Sequence, residues 1–143
     1  MTIATKGRVL VIDDMPDWLK LIRSILEDYD VVTVGTYEEA VQVIELLDFD
    51  VAILDIRLED ADTQNVDGLY LLQMIKQKKP SAGVVILTGH RNSIRERGLQ
   101  AYQPFEFMEK GETFDNARLR EAVRRLLGAR RDCPLLKRAE LKA

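Results

Sequence analysis

The chain has 143 residues, of which 46% are hydrophobic and 31% are charged, as expected for one globular domain. Its net charge of -3 argues against a nucleic-acid surface, which normally carries a basic excess. The single cysteine, Cys133, excludes an internal disulfide, and no apolar run approaches the roughly 18 residues of a membrane span. We therefore expect a cytoplasmic protein that contacts neither nucleic acid nor membrane.

The first half of the chain alternates predicted strands with predicted helices. The mainly β-branched run Arg8–Asp13 is typical of a strand buried on both faces. A helix follows Pro16, because apolar residues recur there at spacings of three and four. The second strand is predicted at 30–34, the second helix around 40–47 and the third strand at 50–54.

The second half repeats this alternation after a long polar loop. A helix carrying Leu69, Leu72, Met74 and Ile75 ends before Pro80, since proline disfavours the α region in the preceding residue. The fourth strand is predicted at 83–87, a weaker helix at about 93–101, the fifth strand at 105–108 and the last helix at about 115–129. Such alternation predicts a doubly wound α/β fold, with a five-stranded parallel sheet and five helices. We assign residues 1–129 to this domain and 130–143 to a basic extension or linker.

Reactive side chains close four of the predicted strands. They are Asp13 and Asp14, Asp55, Thr88 and Lys110. Ligands of open parallel sheets bind at the carboxyl ends of the strands, so we expect these side chains to converge. Clustered carboxylates oppose one another's ionisation, and Mg²⁺ with its preference for oxygen ligands would relieve this. Asp55 can then attack a phosphoryl donor while Mg²⁺ and Lys110 stabilise the charge on the transferred oxygens.

In their order along the chain, these motifs resemble the receiver domains of bacterial two-component response regulators. The matching motifs are Asp13-Asp14, Asp55 within Val51–Leu58, Asp67-Gly68-Leu69, Leu87-Thr88-Gly89 and Phe107–Lys110. The resemblance covers about residues 8–128. It implies a flavodoxin-like sheet of strand order 2-1-3-4-5.

The resemblance also implies roles for the site residues. Asp55 would be the phosphoacceptor and, with Asp14, a direct ligand of Mg²⁺, whereas Asp13 would act mainly through water. The backbone carbonyl of Arg57 would complete the protein ligands, and Lys110 would contact the phosphoryl oxygens.

A second group of residues would transmit or tune the signal. Thr88 would move to hydrogen-bond the phosphoryl group, and Phe107 would swing inward with it. Arg57 and His90 flank the acceptor and the threonine, so we expect both to tune dephosphorylation. Thr88 as an ordinary strand end and Phe107 as a fixed core aromatic stay open as alternatives, and Trp18 is equally compatible with a core role and a functional one.

The implied partners are those of a signalling protein and not of a stand-alone metabolic enzyme. A histidine kinase or histidine phosphotransfer protein would donate the phosphoryl group, and a downstream protein or fused output domain would receive the signal. The fourth helix, fifth strand and fifth helix would form the binding face, including that of a possible homodimer.

Two features depart from the family. The loop Glu59–Val66 is longer than usual and lacks a proline, and Gly111 replaces the proline that usually follows the lysine. We expect the loop after Lys110 to take a different course while Lys110 still reaches Asp55.

The sequence fits three other function classes to different degrees. A phosphorylation-independent interaction module stays open. A phosphohydrolase of the haloacid dehalogenase class is disfavoured, because the position of its second acid holds Arg57. A nucleotide-binding Rossmann domain is disfavoured as well, because no glycine-rich turn follows the first strand.

Overall fold

A computed structural model describes residues 7–55, 67–89 and 105–131. Within these ranges the chain forms five strands and four helices. In chain order they are β1 (Arg8–Ile12), α1 (Pro16–Ile25), β2 (Asp30–Val34), α2 (Tyr37–Leu46), β3 (Val51–Leu54), α3 (Asp67–Lys78), β4 (Gly83–Thr88), β5 (Glu106–Glu109) and α4 (Asn116–Arg131). The helix predicted at about 93–101 lies outside the described residues, as does the extension beyond Arg131.

The five strands form one parallel sheet in the order β2-β1-β3-β4-β5. This confirms the predicted doubly wound fold and its strand order. Ile12 of β1 lies beside Leu54 of β3, and Thr88 of β4 lies beside Glu109 of β5. The carboxyl ends of these strands therefore meet along one edge of the sheet, where the reactive residues follow.

Helices cover both faces of the sheet and create two hydrophobic cores. Leu10 and Ile12 of β1 face a core that includes buried residues of α2 and α3. The alternate residues Val9 and Val11 face a core shared with α1 and α4. Burial on both faces explains why this strand is a continuous apolar run instead of an alternating one.

The helices begin where local chemistry favours it. Pro16 occupies the first turn of α1, where its missing N–H costs no hydrogen bond. The Thr36 hydroxyl accepts a hydrogen bond from the Glu39 N–H at the start of α2, over 3.2 Å. The Asp115 carboxylate accepts one from the Ala117 N–H at the start of α4, over 2.9 Å.

The predicted apolar stripe of α3 is rotated slightly from the one observed. Leu72 and Ile75 are buried as predicted, but the third fully buried residue is Leu71, whereas Leu69 and Met74 are half-buried. None of the helices in the described ranges is both long and apolar enough to cross a membrane.

Candidate phosphoacceptor site

The carboxylates of Asp13 and Asp55 lie side by side, because each residue directly follows one of two neighbouring strands. The Asp13 N–H donates to the Val34 carbonyl over 3.2 Å, and the Asp55 N–H donates to the Ile12 carbonyl over 3.0 Å. Both residues thus extend the hydrogen-bond pattern of the sheet by one position. Each is only 2% exposed.

Asp14 completes a cluster of three carboxylates. One carboxylate oxygen from each of Asp13, Asp14 and Asp55 lies within 4.8 Å of the other two. Asp14 is half-buried, whereas Asp13 and Asp55 are buried. This confirms that the acidic residues converge at the edge of the sheet.

Lys110 reaches the cluster from the end of β5. Its backbone N–H donates to the Thr88 carbonyl over 3.0 Å, which anchors the residue beside β4. The ammonium nitrogen lies 2.7 Å from Asp13 Oδ2 and 2.8 Å from Asp55 Oδ2. The lysine side chain is 10% exposed, so these two ion pairs are largely shielded from water.

Burial and neighbouring charges change the ionisation of both partners. Burial raises the pKa of Asp13 to about 6, and the nearby charge of Asp55 adds to this, against the opposing effects of Lys110 and the Met15 N–H. Burial alone would lower the pKa of Lys110, but Asp55 and Asp13 outweigh it and raise the pKa. Lys110 is therefore a cation at neutral pH.

The donor set of the cluster fits Mg²⁺. When all groups are ionised, three carboxylates face one ammonium, which leaves an excess of two negative charges. Hard carboxylate oxygens with excess negative charge are the ligands that Mg²⁺ prefers. Asp13 already has both oxygens in contacts, since Oδ1 accepts from the Met15 N–H over 2.9 Å and Oδ2 faces Lys110.

The two residues expected to transmit a signal lie on neighbouring strands. Thr88 is the last residue of β4 and is fully buried. Phe107 on β5 is half-buried and packs against the core shared with α2 and α3. It also lines a cavity of about 260 Å³ with six other residues. These are Met108, Glu109, Thr113, Phe114, Asp115 and Arg118.

Other expected site residues lie outside the described ranges. They are Arg57, His90 and the loop 59–66. Their predicted roles stay predictions.

Gly111 takes a conformation that proline cannot adopt. Its φ is +124°, whereas the proline ring fixes φ at about -65°. A proline at position 111 would therefore require a different backbone conformation, and the Lys110 ammonium reaches Asp55 with Gly111 in its place.

Two aromatic residues beside the site were missed or left undecided by the sequence analysis. The Lys110 ammonium lies 5.0 Å from the ring centroid of Trp18. The rings of Trp18 and Phe114 meet edge to face, with centroids 5.0 Å apart at 86°. The only sequence signal was that Trp18 lies four residues after Asp14 and Phe114 four after Lys110.

A family model for the response regulator receiver domain matches residues 9–124. This match spans most of the chain, which therefore belongs to the response regulator receiver domain family. The chain is 33% identical over 104 residues to the nitrogen assimilation regulatory protein NtrX of Azorhizobium caulinodans, covering 71% of this chain and 22% of the relative. It is 33% identical over 114 residues to the DNA-binding transcriptional regulator NtrC of Escherichia coli, covering 78% and 23%. The chain thus spans less than a quarter of these relatives.

Solved structures show the same fold. The crystal structure of NtrX from Brucella abortus matches with a TM-score of 0.74 at 29% identity, over 95% of this chain and 29% of that one. A CheY-like receiver domain protein from Methanospirillum hungatei matches with a TM-score of 0.76 at 24% identity, over 87% and 96%. The second likeness supports the fold alone.

Proposed function

We propose that this domain is a signalling switch that accepts a phosphoryl group on Asp55 from a histidine kinase or histidine phosphotransfer protein. One observation carries the proposal: the buried Asp55 carboxylate lies 2.8 Å from the Lys110 ammonium, within a cluster of three carboxylates. An acceptor needs positive charge beside it, because the attacking carboxylate and the incoming phosphoryl group are both negative. Lys110 supplies one such charge, and the carboxylate cluster could hold a cation that supplies more.

The transfer is a displacement at phosphorus. A carboxylate oxygen of Asp55 bonds to the phosphorus as the bond from phosphorus to the donor imidazole nitrogen breaks, and the electron pair stays on the imidazole. Lys110 is in reach of the new acyl phosphate and stabilises charge on its oxygens. When bound, Mg²⁺ supplies further positive charge to these oxygens.

The members of the carboxylate cluster are proposed to coordinate Mg²⁺ in two ways, directly or through water. Asp14 and Asp55 are the proposed direct ligands, together with the Arg57 carbonyl. Asp13 is proposed to act mainly through water, because both of its oxygens already contact Met15 and Lys110. Its proposed function is to hold the lysine and orient water.

The signal is proposed to leave through Thr88 and Phe107. The Thr88 hydroxyl would hydrogen-bond the phosphoryl group, and Phe107 would respond by moving inward, changing the cavity that it lines. Arg57 and His90 are proposed to set the rate at which water attacks the acyl phosphate.

The downstream partner is proposed to be a protein or a fused output domain. The NtrX and NtrC relatives are several times longer than this chain. We assign residues 1–129 to the domain and 130–143 to an extension or linker, with docking or a homodimer at the face that includes β5 and α4. A cytoplasmic location is proposed, where kinase and phosphodonor would both be present.

Intact-mass measurement with acetyl phosphate and Mg²⁺ tests the proposal. The parent should gain one phosphoryl group and Asp55→Asn should gain none. Asp50→Asn is a matched control, because Asp50 lies immediately before β3 whereas Asp55 lies immediately after it; this variant should be labelled like the parent. An unlabelled parent would favour the phosphorylation-independent interaction module, and a fully labelled Asp55→Asn variant would exclude Asp55 as the acceptor.

A further inference from the structure

Trp18 lies over the ammonium that faces the proposed phosphoacceptor. The Lys110 nitrogen is 5.0 Å from the ring centroid, within the range in which a cation is attracted to the face of an indole ring. Trp18 is half-buried and the lysine side chain is 10% exposed. Because little water surrounds the contact, this attraction is only weakly screened.

Phe114 packs against the indole ring of Trp18. Its ring meets that of Trp18 edge to face, an arrangement that aromatic quadrupoles favour. The Phe114 N–H donates to the Gly111 carbonyl over 3.1 Å, which closes the loop after Lys110 into a turn. Helix α1 thus supplies the indole ring, and the loop after β5 supplies both Lys110 and the Phe114 ring that packs against the indole.

A lysine ammonium needs such restraint to be effective. Its side chain is long and flexible, and fixing it in one place costs conformational entropy. Asp13 and Asp55 attract it by charge. Once Asp55 carries a phosphoryl group, its charge distribution changes, whereas the attraction of the indole ring persists.

We infer that Trp18 is a positioning residue for Lys110: its ring face holds the ammonium beside Asp55 and thereby speeds phosphoryl transfer to that residue. The inference rests on the proposed function and adds a residue to it. Trp18 and Phe114 also pack against the core shared with α1 and α4, so ordinary core packing is the competing role.

Fluorinated tryptophans separate these two roles. Fluorine withdraws electrons and weakens the negative potential of the ring face, while the size of the ring hardly changes. Trp18 is the only tryptophan of the chain, so biosynthetic replacement alters this residue alone. If Trp18 positions Lys110, the rate of phosphoryl transfer should fall as fluorines are added to the ring. If Trp18 only packs against the core, the rate should not depend on their number.

The experiment compares tryptophan, 5-fluorotryptophan, difluorotryptophan and tetrafluorotryptophan in the full chain. We measure the rate of labelling by acetyl phosphate at saturating Mg²⁺, and thermal unfolding as a check of the fold. The rate should fall stepwise, by roughly 2- to 10-fold across the series, given the usual strength of such contacts. Trp18→Phe should keep part of the parent rate and Trp18→Leu less.

A readout independent of labelling completes the test. The ¹⁹F resonance of 5-fluorotryptophan should shift on Lys110→Met and stay in place on Lys79→Met, whose lysine pairs instead with Asp48. If the protein is labelled but the labelling rate does not change with fluorination, the inference is overturned and the proposed function stays intact. A resonance unmoved by Lys110→Met would also overturn it. A parent that is never labelled would overturn both.

Discussion

The Lys110 ammonium lies 2.7 Å from Asp13 Oδ2, almost the same distance as from Asp55 Oδ2. One cation therefore bridges the carboxylates that follow the neighbouring strands β1 and β3. The lysine itself follows β5, the strand at the edge of the sheet. This bridge offsets repulsion between two buried anions. It also links Asp55 to Asp13, whose Oδ1 accepts a hydrogen bond from the Met15 N–H in the segment that follows β1.

Because Lys110 bridges two buried carboxylates, Lys110→Met should strongly destabilise the metal-free protein. Two buried carboxylates would lose their counter-charge, which should lower the free energy of unfolding by about 3 kcal/mol at neutral pH. Mg²⁺ should recover much of this loss and should bind the variant more tightly than the parent, because a competing positive charge is gone.

Urea unfolding with and without Mg²⁺ measures both effects. Lys79→Met is the control, because it removes an ion pair at 2.9 Å whose acid is largely exposed, and such pairs contribute less than about 1 kcal/mol. If Lys110→Met and Lys79→Met lowered the free energy of unfolding equally, a structural role for the bridge would be contradicted.

The raised pKa of Asp13 predicts a pH dependence of stability. The ordinary pKa is 3.8 and burial raises it to about 6 in the folded protein. Below both values Asp13 is protonated in both states and imposes no penalty. Between them the unfolded chain loses the proton first, so the contribution of Asp13 to the free energy of unfolding falls as pH rises, by up to about 3 kcal/mol.

Asp13→Asn isolates this effect, because the amide does not titrate. In EDTA, the variant should gain stability relative to the parent as pH rises from about 4 to about 6.5, and the difference should then level off. Chemical unfolding at a series of pH values measures it. A difference that is constant, or that falls with rising pH, would contradict the assigned ionisation.

Asp14 should matter more than Asp13 for Mg²⁺ binding. Both oxygens of Asp13 are engaged by Met15 and Lys110, so its loss removes charge but not a proposed direct ligand. Asp14→Asn should raise the Kd for Mg²⁺ by roughly 10-fold, equivalent to about 1.4 kcal/mol, and Asp13→Asn by less. Trp18 fluorescence is a suitable signal, since its ring lies 5.0 Å from the lysine that a bound cation would repel. The reverse order of effects would contradict the assigned ligands.

Two glycines should respond to alanine in opposite directions. Gly111 has a φ of +124°, which disfavours an L side chain, so Gly111→Ala should cost about 1 kcal/mol. Gly111→Pro should cost more, because its ring cannot adopt this φ. Gly128 lies in α4, where alanine is the better helix former, and Gly128→Ala should stabilise by about 0.5 kcal/mol.

Neither added Cβ would contact another described residue within 4 Å, so contacts with the described residues do not contribute to the difference. Thermal unfolding of the three variants measures it. Stabilisation by Gly111→Ala would show that the loop does not require a positive φ.

The sheet and the convergence of the acids could be predicted because both follow from simple rules. Buried parallel strands are continuous apolar runs, and strand order then places Asp13 and Asp55 next to each other. The apolar stripe of α3 could be predicted only in part, because the apolar residues Leu69 to Leu72 allow more than one helical face. The structure buries Leu71 and Leu72 and leaves Leu69 half-buried.

Side-chain geometry accounts for what could not be predicted. The Lys110 ammonium bridges Asp13 and Asp55, and this contact depends on side-chain conformations that residue spacing does not determine. The contact between Trp18 and Phe114 joins helix α1 to the loop after β5, two segments far apart in the chain, and no periodicity relates them.

The position of the phosphoryl group in the parent protein tests the central claim most directly. After incubation with acetyl phosphate and Mg²⁺, borohydride reduces an aspartyl phosphate to homoserine, which peptide mass spectrometry locates. The account predicts this conversion at position 55 alone, and none when the phosphodonor is omitted. Conversion at Asp13 or Asp14 instead, or at no aspartate of the chain, would contradict it.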